Sequence, residues 1–64
     1  MKVGDFVSFD IYRPSARIFL TTYKGVVIKE DLGHKFGPLY NILSTKGDVY
    51  ENIEKAHIRL LRSS

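Results

Sequence analysis

Hydrophobic and polar positions alternate with a period of two along residues 6–12. Val7, Phe9 and Ile11 fall on one side, and Phe6, Ser8, Asp10 and Tyr12 on the other. Strict alternation with β-branched and aromatic side chains predicts a strand with one buried face. Pro14 ends it, because proline has no N–H to give a ladder and pushes Arg13 away from helical angles. Residues 13–22 then form a long first loop. Within it, Ile18-Phe19-Leu20-Thr21-Thr22-Tyr23 is rich in strand formers, which suits an extended arm or an extra strand.

A second strand is predicted over residues 24–29. Lys24, Val26 and Ile28 share one face and Val27 takes the other, so Val26 and Ile28 are expected in the core. Gly25 permits a bulge or a close approach of a neighbouring strand. Gly33, Gly37 and Pro38 make residues 30–38 a loop. Residues 39–44 alternate again, with Tyr40 and Ile42 opposite Leu39, Asn41 and Leu43. Lys46-Gly47 reads as a two-residue hairpin turn, and residues 49–52 as the returning strand. One short helical turn over residues 53–57 and a last strand over residues 58–61 complete the reading. A longer helix over residues 52–61, capped by Asn52, is the competing assignment. The expected core is Val7, Phe9, Val26, Ile28, Ile42 and Ile58.

Sixty-four residues make a single domain, 1–64, near the lower size at which a chain folds unaided. With no cysteine, neither disulfides nor zinc thiolates can add stability, so side-chain burial or a partner must supply it. The apolar fraction of 44% and charged fraction of 27% are those of a globular chain. Asp5 and Asp10 interrupt any signal-peptide core, and no apolar run approaches the ~20 residues of a membrane span. A soluble cytoplasmic protein without membrane contact is expected. The net charge of +3 permits nucleic acid or an acidic protein as partner, yet it is low for a dedicated nucleic-acid binder.

Four segments carry a resemblance: Lys2-Val3-Gly4-Asp5-Phe6-Val7, Gly25-Val26-Val27, Tyr40-Asn41-Ile42-Leu43 and His57-Ile58-Arg59-Leu60. Together they resemble the small SH3-like barrels found among uncharacterised bacteriophage proteins. The resemblance implies an all-β, SH3-like barrel of about five strands, with a long first loop and a short helical turn before the last strand. It implies binding rather than catalysis, and for a phage-encoded chain it implies the host cytoplasm. Such proteins often carry a tryptophan at the end of the third strand, where this chain has Leu43-Ser44. That departure argues against an aromatic groove.

A barrel is a platform, so function must be read from its surface. A groove for proline-rich peptides needs an aromatic floor and acids in the first loop. Here that loop carries Arg13 and Arg17. A methyl-lysine cage needs aromatics to spare, and the core claims Phe6, Phe9 and Phe19. Nucleic acid needs cations and exposed rings. Tyr12, Arg13, Arg17 and Tyr23 supply both on one arm, and Lys35 and Phe36 extend them. The plain alternative is that these are solubilising charges and half-buried tyrosines. His34 and His57 are the only histidines, and nothing completes an acid–base or metal constellation around them. No catalytic residue, metal or cofactor is therefore expected. Ile18-Phe19-Leu20 places three consecutive apolar residues in a surface loop. One strand face cannot hide all three, so the arm marks an interface, a homodimer contact or a plug for the barrel end. The expected function is a non-catalytic module binding a host or phage protein. Its contacts are Tyr12, Arg13, Arg17, Phe19 and Tyr23, with Lys35, Phe36 and Tyr40 as the neighbouring site. The alternative is a nucleic-acid-binding SH3-like or KOW-like domain using the same arginines and tyrosines.

Overall fold

Five antiparallel strands form one sheet in a computed structural model of the chain, which describes residues 1–11, 21–35 and 37–64. They are β1 (Phe6–Ile11), β2 (Thr21–Asp31), β3 (Leu39–Ser44), β4 (Val49–Glu54) and β5 (Ile58–Arg62), in the order β4-β3-β2-β1-β5. Successive strands β1 to β4 pair as a meander, and β5 returns to the far side of β1.

The last connection bends the sheet. β4 and β5 are its opposite edges, yet only the 3-10 turn Lys55–His57 joins them. In a flat sheet the two edges would lie about 19 Å apart, four strand spacings. The four Cα steps from Glu54 to Ile58 reach at most about 14 Å. The sheet must therefore curve, and the core lies on one of its faces.

That core is Val7 and Phe9 from β1, Val27 from β2, and Tyr40 and Ile42 from β3. Met1, Ile11, Tyr23, Tyr50, Ile53 and Ile58 pack against it. The alternation predicted in β1 is observed, with Val7 and Phe9 buried, and Ile42 of β3 is buried as expected; Tyr40 and, from the opposite face, Leu39 are buried as well. The phase predicted for β2 is corrected. Val27 is 0% exposed, whereas Val26 and Ile28 are 38% and 43% exposed. The inward positions run Tyr23, Gly25, Val27, because Gly25 lies opposite core residue Val7. Ile58 is half-buried rather than fully enclosed.

Gly25 is required by the close approach of β3. A Cβ there would overlap the Leu43 carbonyl oxygen and lie 2.9 Å from Ile42 Cγ2. The bulge sits farther on: Val27 pairs with Ile42 and Lys29 with Asn41, which leaves Ile28 as the extra residue. A second bulge interrupts β4 between the Tyr40 and Ile42 pairings. Asn52 holds the positive φ of 57° there, and its N–H donates to Asn41 Oδ1 at 3.0 Å. Asparagine is among the few side chains that tolerate this region.

Element boundaries also differ from expectation: β2 begins at Thr21, so Thr21 and Thr22 belong to a strand and not to the first loop, and β5 runs to Arg62. The β3–β4 hairpin has a three-residue loop, Thr45-Lys46-Gly47, rather than two residues. Gly47 N–H donates to the Ser44 carbonyl at 2.9 Å, and Ser44 N–H to the Asp48 carbonyl at 2.8 Å. The positive φ of Gly47, 96°, thus closes a turn-plus-bulge loop. β2 runs to Asp31, so the following loop is shorter than predicted. β4 runs to Glu54, and the helical turn shrinks to Lys55–His57. The competing helix over residues 52–61 is not formed, because Ile58 to Arg62 pair with β1.

Candidate functional site

Opposed residues of paired strands project to the same side of a sheet. The register therefore assembles a row that the sequence does not show. Arg62 lies opposite Phe6, Phe6 opposite Val26, Val26 opposite Leu43, and Leu43 opposite Val49. This is the face away from the core. Phe6 is half-buried, while Val26, Leu43 and Val49 are exposed, at 38%, 39% and 52%. Ile28, two residues beyond Val26 in β2, adds another exposed aliphatic side chain. The adjacent row on the same face is Arg59, Ser8 and Lys24, again opposed in register. An aliphatic stripe bordered by Lys24, Arg59 and Arg62 results. Glu51 is the acid two residues beyond Val49.

Val26 and Ile28 carry the signal for this surface in the sequence, yet their alternation suits the core equally well, and the structure exposes both. Only the placement of Val27 inward turns them into surface.

Of the expected contact residues, Tyr12, Arg13, Arg17, Phe19 and Phe36 lie outside the described residues. Tyr23 is half-buried on the inner face. Its ring stacks on Tyr50 at 5.3 Å and 25°, and both rings tilt against Phe9, at 5.9 and 5.4 Å. Lys46 Nζ sits 5.5 Å from the Tyr23 ring centroid, a cation–π distance. Tyr23 is thus tied to the core at one end and to a surface cation at the other. Tyr40 is 3% exposed and belongs to the core. As a surface contact it is corrected: its partner Ile53 and the inward phase of β3 bury it. Lys35 is exposed.

A cleft of about 230 Å³ opens beside β1 and β5, with Ser8, Asp10, Thr22, His57 and Arg59 among its lining. It holds the side-chain types of a nucleophile, a base and an acid. The partner of Asp10, however, is the Thr22 hydroxyl, which donates to Oδ1 at 2.7 Å. His34 is half-buried in its loop, and its carbonyl accepts from Gly37 N–H at 3.0 Å. Among the described residues no group of three or more His, Asp and Glu is placed to hold a metal. Among the same residues no helix is long and apolar enough to cross a membrane.

One carboxylate has a structural task that the sequence reading did not assign. Asp5 is 2% exposed. Its Oδ1 accepts from Ser64 N–H at 2.9 Å and its Oδ2 from Lys2 N–H at 2.8 Å. These two donors, Ser64 first, hold its carboxyl below the ordinary value of 3.8. Its backbone carbonyl also accepts from Val27 N–H at 3.0 Å. Asp5 thus clasps the N-terminal turn, β2 and the last residue together.

Compared with known proteins, the chain matches no protein-family model, no curated protein and no solved structure.

Proposed function

We propose that this chain is a non-catalytic protein-binding module built on an SH3-like barrel. The strand order, the curvature that the short 55–57 connection imposes, and the 3-10 turn before the last strand support the barrel reading. The likeness to phage barrels supports an accessory protein that engages a host protein in the host cytoplasm. The observation that carries the binding reading is the row Val26, Leu43 and Val49, three exposed aliphatic side chains adjacent across three strands. Water-facing strands ordinarily carry polar residues at such positions. A contiguous apolar patch on a small domain marks an interaction site. The aliphatic character favours protein over nucleic acid, since bases stack on rings rather than on valine and leucine. The arm at residues 13–23 belongs to the same proposal as a second contact, with Arg13, Arg17 and Phe19 as its anchors.

The test is capture from a bacterial lysate with and without nuclease, using three proteins. These are the parent, Val26→Thr with Leu43→Thr, and Phe19→Ala. Threonine keeps strand propensity while removing apolar surface. Capture that survives nuclease and is lost in the double threonine variant supports the row. Capture lost only with Phe19→Ala moves the interface to the arm. Capture abolished by nuclease, and falling by orders of magnitude between low and physiological salt, overturns the protein reading in favour of nucleic acid.

A further inference from the structure

We infer that the cleft beside β1 and β5 binds the phosphate ester of a small sugar. Its residues are not those of the aliphatic row, so this site is additional to the proposed protein contact.

One end of the cleft is built to hold an oxyanion. Arg59 of β5, Ser8 of β1 and Lys24 of β2 lie opposite one another and share the outer face. Two strand spacings, about 10 Å, separate the flanking Cα atoms. Both cationic side chains are long enough to close over the serine between them. Ser8 is half-buried, while Lys24 and Arg59 are exposed. Among the described residues neither cation is ion-paired. A hydroxyl between a guanidinium and an ammonium offers several donors to one tetrahedral anion.

The local charge suits a phosphate monoester. On the part of the face built by β5, β1 and the start of β2, three cations, Lys24, Arg59 and Arg62, stand against one carboxylate, Asp10. The surplus is two positive charges. A phosphate monoester carries about −1.5 to −2 at neutral pH and balances it. A carboxylate or a phosphodiester, with a single charge, does not.

The other end of the cleft is built for hydroxyls. Asp10 stands two residues beyond Ser8, about 7 Å along β1. Thr22 lies opposite it, and His57 of the 3-10 turn completes the lining there. The Thr22 hydroxyl donates to Asp10 Oδ1 at 2.7 Å and ties the carboxylate to the face. Asp10 repels a phosphate and accepts hydroxyl donors. A ligand is thus oriented, with its anion at Ser8 and its hydroxyls at Asp10. A pentose phosphate spans that interval.

The lining also rejects other ligands. Ala56 and Ile58 are its apolar members among the described residues, and no Phe, Tyr or Trp is with them. A greasy ligand gains little there, and a base finds no such ring to stack on. The volume of about 230 Å³ is below the roughly 300–1,000 Å³ of drug-sized sites, which suits a molecule as small as a sugar phosphate.

The test is titration of the parent protein with ribose 5-phosphate, followed by amide shifts. Ribose, inorganic phosphate and a single-stranded oligonucleotide are separate arms. Ribose 5-phosphate should bind with a dissociation constant on the order of 1 mM or tighter and shift Ser8, Asp10, Thr22 and Arg59. Inorganic phosphate should bind more weakly, and ribose more weakly still. Adenosine 5′-monophosphate separates two sources of the same chemistry: equal affinity admits nucleotides, lower affinity restricts the site to free sugar phosphates, and both sustain it. Arg59→Gln should weaken ribose 5-phosphate at least roughly tenfold, as expected for losing a charge-assisted hydrogen bond. Asp10→Asn should weaken ribose 5-phosphate yet leave inorganic phosphate unchanged or tighter, because a like charge is removed. Inorganic phosphate binding as tightly as ribose 5-phosphate, shifts outside the cleft, or tighter binding of both ligands to Asp10→Asn would overturn the inference. So would an oligonucleotide that binds more tightly than ribose 5-phosphate and loses affinity by orders of magnitude with salt. The parent's own shift map decides the case even where a variant fails to fold.

Discussion

Gly25→Ala introduces one methyl group at the point where β2 and β3 approach most closely. The added Cβ would overlap the Leu43 carbonyl oxygen and stand 2.9 Å from both Ile42 Cγ2 and the Leu43 carbonyl carbon. Ordinary contact begins near 3.4 Å. The two strands must separate by at least about half an ångström, and packed interiors have no slack of that size. Two of the three obstructing atoms are backbone, so rotamer changes cannot relieve the overlap. Gly25 is also the inward residue between Val7 on β1 and Ser44 on β3, and a shift disturbs both ladders. Overpacking of a core costs about 1–3 kcal/mol, and the rigid obstacle places this case near ~3 kcal/mol. A domain of this size has roughly 3–10 kcal/mol in total. The expected fall in melting temperature is about 12–24 °C. Thermal unfolding followed by far-ultraviolet circular dichroism measures the shift, and urea unfolding measures the free energy. Gly33→Ala is the control, because nothing lies within 4 Å of a Cβ there. It should be neutral or slightly stabilising. Equal midpoints for Gly25→Ala and the parent would refute the argument that β3 forbids a side chain at this position.

The phase of β2 has its own test: Val27→Ala should cost about 2 kcal/mol, while Val26→Thr should change stability by less than ~1 kcal/mol, as read by urea midpoints. A larger loss at Val26 would restore the opposite phase. Asn52→Gly should be nearly neutral, and Asn52→Val should cost about 1–2 kcal/mol, because a β-branched residue resists the left-handed region. A valine variant as stable as the parent would show that β4 has no bulge at this point. The acid limb of stability reports Asp5. Its folded value lies below its unfolded one, so its contribution is present above the ordinary carboxylate range and is lost as pH falls through the lowered folded value. Asp5→Asn should therefore lower stability at neutral pH and flatten the decline in acid. An unchanged acid limb in the variant would remove Asp5 from the clasp.

Residues that alternate cleanly determined their own geometry. In β1 each polar–apolar step repeats the pleat, and in β3 polar Asn41 separates Tyr40 from Ile42, so Val7, Phe9 and Ile42 were readable as core from the chain alone. The short turn and last strand were readable only beside a competing helix over residues 52–61, and the pairing of β5 with β1 decides between them. Val26-Val27-Ile28 is different. Three consecutive aliphatic residues fit either phase, and local pattern cannot choose between them. The choice came from across the sheet: Gly25 faces Val7 and admits β3, which sends Val27 inward and Val26 outward. The bulges at Ile28 and Asn52 likewise exist only in pairing, since an extra residue is extra relative to a partner strand. The clasp at Asp5 joins residues 59 positions apart, a separation no periodicity can signal. The candidate binding row has the same origin. Val26, Leu43 and Val49 are unremarkable one by one, and the register of three strands makes them one surface. Local sequence thus determined which segments are strands and where two of them face. Tertiary pairing decided the face of β2, and with it the binding surface proposed above, because burial is a property of what lies opposite.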